Sequence, residues 1–135
     1  MDQVLVEMRM KHLDLLQSAI IRMGANSSNL KAAAITVTAA VLALASAVAR
    51  PDIILQTAPV TVLFAAMDAR YLALERGFRQ SYDRVRALPL SPAPDFAVTS
   101  ETDGLMYVRS LVSWSVGLFY TAIILLMLSL WYAAK

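Results

Sequence analysis

The 135-residue chain holds one histidine, His12, and no cysteine. Thiol catalysis, disulfides and thiolate metal sites are thereby excluded, and a lone imidazole does not build a zinc site. Ser113 and Ser115 lie in a long apolar stretch and have the look of intramembrane nucleophiles. No membrane histidine or lysine is at hand to serve as their base, so hydrogen bonding to their own helix or to a neighbour is the stronger reading. No glycine loop for phosphate is present. The residue types therefore predict no enzyme, no cofactor and no metal.

Two groups of charged residues remain. Asp68, in AAMDARY, sits at the inner end of an apolar run. An ionisable group there is costly unless paired or wet. It either lines a permeation path or gate, or pairs with Lys31, Arg70 or Arg109 to fix helix depth. The arginines between positions 70 and 86 are interleaved with Asp68, Glu75 and Asp83, which argues against nucleic acid. Glu75 and Arg79 are spaced for an i,i+4 pair.

The elements that must position these residues are helical. The chain is 59% hydrophobic and 16% charged, whereas soluble domains are nearer 45–50% and 25%. One all-α integral membrane domain is predicted. Residues 2–23 read as an amphipathic helix, with Leu13, Leu16, Ile20 and Met23 on one side, Leu5 and Val6 beside them, and Glu7, Lys11, Asp14, Ser18 and Arg22 opposite. Its mixed charges favour packing on another helix over lying on lipid. His12 falls toward the apolar side, as a packed or partner-facing residue. Gly24 predicts a stop and residues 25–29 a turn.

Residues 30–49 are long enough, at roughly 30 Å, to cross a bilayer. Ala32, Thr36, Ala40, Ala43 and Ala47 form a small-residue stripe that suits close helix packing in lipid. Residues 53–87 predict a second membrane helix, kinked at Pro59, that runs on into the cytoplasm. Residues 88–104 predict a Pro/Ser-rich loop. Residues 106–133 predict the third span, with Trp131 and Tyr132 as an interfacial belt.

Three spans place the termini on opposite sides. Arg9, Lys11, Arg22, Lys31, Arg70, Arg76, Arg79, Arg84, Arg86 and Arg109 fall on one side, and Arg50 and Lys135 on the other. Ten against two puts the N-terminus in the cytoplasm and the C-terminus outside.

Residues 15–45 and 59–86 also resemble a widespread family of small bacterial inner-membrane proteins. The shared pattern is R-M-x-x-N-S (Arg22, Met23, Asn26, Ser27), a Leu-Lys opening the first span (Leu30, Lys31) and D-A-x-Y-L-x-x-E-R-x-F-R (Asp68, Ala69, Tyr71, Leu72, Glu75, Arg76, Phe78, Arg79). The architecture is similar to SLATT-type membrane effectors of anti-phage defence, which implies oligomerisation and membrane breach. The third span and the lack of a signal-binding domain depart from that plan.

The expectation is a homo-oligomeric inner-membrane protein, a pore-forming or membrane-disrupting effector or the membrane subunit of a defence system. Asp68, Thr36, Thr38, Ser113 and Ser115 are its candidate path-lining groups. Ala32, Ala40, Ala43 and Ala47 are its packing surface. His12, Arg70, Glu75, Arg76 and Arg79 form a cytoplasmic collar for a soluble partner. The alternatives are a membrane anchor or scaffold working through the collar and, last, a small channel or transporter subunit.

Overall fold

The computed structural model describes residues 2–89 and 96–134. The elements in order are α1 (Asp2–Ala47), α2 (Asp52–Gln56), α3 (Ala58–Ala87), α4 (Gly104–Leu111), a π-helical turn (Trp114–Leu118) and α5 (Phe119–Ala133). The described residues contain no strand. Three stretches, Gln3–Ala47, Asp52–Ala87 and Trp114–Ala133, are long and apolar enough to cross a membrane.

The turn expected after Gly24 does not form. α1 is one helix of 46 residues, roughly 70 Å long. Gly24 and the Asn/Ser residues after it each disfavour a helix by only about 1 kcal/mol or less. That preference is overridden by a seam running the length of α1. Arg9, His12, Leu16, Ala19, Ser27, Ala34, Thr38 and Ala45 are buried at helical spacing. Leu16 lies on this seam, Leu13, Ile20 and Met23 flank it, and Val6 is exposed.

α1 ends in a Schellman arrangement. The Arg50 N–H donates to the Ala45 carbonyl and the Ala49 N–H to that of Ser46. Ala49 takes the left-handed position there, with φ of 52°.

The chain then turns back, and α3 runs antiparallel to α1. The face that α3 presents carries Thr61, Ala65, Ala69, Ala73, Gly77 and Ser81, a small residue every fourth position. Such a ladder lets two helix backbones approach closely. In place of the kink expected at Pro59, the helix breaks at Thr57, two residues earlier. Proline is tolerated in the first turn of a helix, where its missing N–H has no intrahelical partner to lose.

Residues 88–89 and 96–103 of the expected loop are non-helical; positions 90–95 lie outside the described residues. Gly104, expected as the last loop residue, is the first residue of α4. Asp103 caps α4 by accepting from the Met106 N–H at 2.6 Å.

The last span, expected unbroken over 106–133, is interrupted at Val112–Ser113. Ser113 is extended, with ψ of 154°, and both its N–H and its hydroxyl donate to the Ser110 carbonyl. The π turn that follows brings Gly117 so close to the end of α4 that an added Cβ would lie 3.0 Å from the Leu111 carbonyl oxygen.

α5 completes an up-down-up bundle. Val116, Tyr120, Ile123 and Met127 pack on Ala34, Ala45, Ile54 and Ala69. At the far end Trp131 Nε1 donates to Asp52 at 3.3 Å.

Candidate functional site

Two polar groupings stand out. The first is buried where the three helices meet. Ser27 and Lys31 are one helical turn apart on α1, so both side chains reach Asp68 on α3. The Ser27 hydroxyl donates to Asp68 Oδ1 at 2.5 Å. Lys31 Nζ lies 2.6 Å from Oδ2 and donates to Ser27 Oγ at 2.9 Å. The Lys31 ammonium also stands 6.0 Å above the Phe119 ring.

Tyr120 of α5 is buried beside Asp68, and its hydroxyl has no hydrogen bond of good geometry. Asp68 is 0% exposed, whereas the Lys31 side chain keeps 20% of its surface. Both carboxylate oxygens are engaged and no open water reaches them. The arrangement neutralises charge and fixes register; it does not present an acid or base to a substrate.

The second grouping is at the other end of α1. The Arg9 guanidinium donates to the carbonyls of Val85, Leu88 and Pro89 at 2.9, 2.8 and 2.7 Å, closing the C-terminus of α3. His12 Nε2 lies 2.9 Å from the Ala97 carbonyl oxygen and donates to it. Its ring packs against Phe96, with centroids 5.8 Å apart and the planes tilted by 45°. Ser81 donates to the Thr99 carbonyl and Ser100 to that of Leu74. Arg84 pairs with Glu101. Residues 96–103 are thus strapped along α3.

The candidate path-lining residues do not come together. Asp68 and Thr38 are buried inside the bundle, whereas Thr36 and Ser115 are exposed on its outside. Ser113 is half-buried and occupied at the α4 break. Thr36 only returns its hydroxyl to the Ala32 carbonyl.

Ala32, Ala40, Ala43 and Ala47 are all exposed with Thr36 on the outer face of α1, away from α3. Among the collar residues, His12 is buried under the strap and offers no surface. Arg70 and Arg79 are exposed. Glu75 accepts from Arg79 at 2.8 Å, the i,i+4 pair expected from spacing. Arg76 donates to the buried Ser110 at 3.1 Å.

Sequence reasoning missed Ser27 as a partner of Asp68, Arg9 as a helix cap and Gly77 as a crossing point. Gly77 had a signal, since glycine inside an amphipathic helix is there at a cost. Among the described residues no group of three or more His, Asp or Glu side chains is placed to hold a metal ion.

No family model, no curated protein and no solved structure matches the chain.

Proposed function

We propose that the chain is a self-associating inner-membrane protein, oriented with its N-terminus in the cytoplasm, that acts as a pore-forming or membrane-disrupting effector. The observation that carries this reading is the outward direction of Ala32, Thr36, Ala40, Ala43 and Ala47. α1 uses Ala34, Thr38 and Ala45 for its own bundle and leaves a second small-residue face free. A small-residue face leaves the helix backbone open to close approach by a second helix, and helix association in lipid depends on such close backbone packing.

In this reading copies associate through α1, and ions leak along the seams between protomers near Thr36. Asp68 belongs to the interior of each protomer, so it holds the protomer together and does not line the path. The bacterial setting and the defence role rest on the sequence resemblance.

The test is inducible expression in bacteria with a membrane-potential dye, together with mass determination of the purified protein in lipid nanodiscs. The native chain is expected to depolarise the cell and to be oligomeric. Ala40→Leu/Ala43→Leu is expected to lose both properties and keep its helicity. A native chain that is monomeric in lipid removes the pore.

A scaffold is the second reading, favoured by one observation. Val4, Met10, Leu15 and Ile21 are exposed on the part of α1 that lies outside the 30–49 span, a face suited to a soluble partner. A scaffold leaves membrane potential untouched and loses function when those positions are made polar.

A further inference from the structure

α3 and α4 enclose an open cleft of about 680 Å³, lined by Arg76, Arg79, Glu101, Asp103, Met106 and Arg109. Three guanidinium groups from two helices face one space. The acids in its wall are already used: Glu101 pairs with Arg84 and Asp103 caps α4. Arg79 is held by Glu75.

Among the described residues Arg76 is anchored by a neutral hydroxyl, that of Ser110, which is itself 0% exposed. Arg109 has no ion pair among the described residues and is exposed. Two positive charges therefore share the cleft without a carboxylate partner there, one of them fixed in place by a buried contact.

The surroundings of the cleft say what kind of anion fits. On α4, Leu105 and Arg109 follow at i and i+4 and so share a face, and Val112 is the C-cap residue directly after the helix. Leu105 is 56% exposed and Val112 78%. Trp114, 83% exposed, opens the last apolar span only five residues past Arg109. A ligand in this cleft has cationic groups at one end and a bare apolar helix face leading away from it.

We propose that the cleft binds the phosphate of an anionic phospholipid headgroup, with the acyl chains lying along the exposed face of α4 and the π turn. Basic pockets at the cytoplasmic ends of membrane helices have this character, and planar guanidinium groups match phosphate oxygens in pairs. The inference rests on the membrane placement above but not on the pore.

The full chain is reconstituted in phosphatidylcholine nanodiscs with and without a minor fraction of phosphatidylglycerol, and the lipids retained on the protein are identified by native mass spectrometry. Retained phosphatidylglycerol is expected to be enriched over its share of the disc. Arg109 is exposed and has no ion pair among the described residues, so Arg109→Gln should stay folded and lose enrichment by about fivefold, with Arg76→Gln/Arg109→Gln losing more. Arg22→Gln/Arg86→Gln, with the same charge change outside the cleft, should retain it.

Equal loss in the two double variants overturns the site in favour of diffuse charge. Displacement of the lipid by excess inorganic phosphate overturns the lipid as the source and leaves a free-phosphate site. An inserted chain with no enrichment overturns the inference alone. A chain that does not enter the discs at all overturns the membrane reading and this inference with it.

Discussion

Lys31 and Asp68 meet at 2.6 Å across the seam between α1 and α3, with the aspartate side chain fully buried and the lysine side chain still one-fifth exposed. Lys31 opens the apolar stretch of α1, and Asp68 closes the apolar stretch of α3. Their pairing therefore sets the relative depth of the two helices. Ser27 makes the pairing a triangle by bonding to both.

Removing one member of such a pair leaves an uncompensated charge. Lys31→Met strands the Asp68 carboxylate and is expected to destabilise the chain by about 3–5 kcal/mol, whereas replacing both partners with apolar residues of similar size costs far less. A double-mutant cycle of Lys31→Met and Asp68→Leu, read from thermal unfolding in detergent, should show a coupling well above 1 kcal/mol. Additive single losses would mean that the two residues do not interact. For the same reason, lost depolarisation in an Asp68→Ala variant would report a damaged protomer and not a blocked path.

Gly24 gives a test of the uninterrupted α1. A glycine that ends a helix in the left-handed conformation resists replacement, because a Cβ is strained there. In α1 Gly24 is inside the helix, and an added Cβ would meet the Glu75 carboxylate, with Oε2 at 3.5 Å and Cδ at 4.0 Å, an ordinary contact. Gly24→Ala is therefore expected to stabilise the protein by about 0.5–1 kcal/mol. A lower melting temperature would favour two helices joined by a turn.

The helical class, the three apolar stretches and the Glu75–Arg79 pair were legible in the sequence because each depends on local composition or spacing. The turn predicted after Gly24 does not form, for a physical reason. Gly, Asn and Ser signal turns through local preference, but Ser27 spends its hydroxyl on Asp68, 41 positions away. No local signal reveals such a partner. The sequence marks Asp68 as needing a partner, with Lys31, Arg70 and Arg109 as candidates. Which of the three cations pairs with it depends on the antiparallel register, and that register is set by the ladder of small residues from Thr61 to Ser81. The ladder was visible at i+4 spacing but was eclipsed by the Ala/Thr stripe of α1, which faces outward.

Gly77 is where the strap crosses α3. A Cβ there would collide with Ser100 Oγ and lie 2.9 Å from both the Glu101 carbonyl oxygen and Thr102 Cγ2. One of these three atoms belongs to the backbone, so relief needs residues 99–102 to lift. Lifting removes the bonds from Ser81 to Thr99 and from Ser100 to Leu74. Alanine favours the helix itself by about 1 kcal/mol, which opposes the loss. Overpacking of this kind costs about 1–3 kcal/mol, so Gly77→Ala is expected to be destabilising on balance, with faster hydrogen exchange over 96–103 and unchanged exchange around Lys31 and Asp68. Gly104→Ala is the control, because nothing lies within 4 Å of its added Cβ. A Gly77→Ala variant as stable as the native chain, with unchanged exchange in the strap, would show that residues 99–102 do not rest on α3.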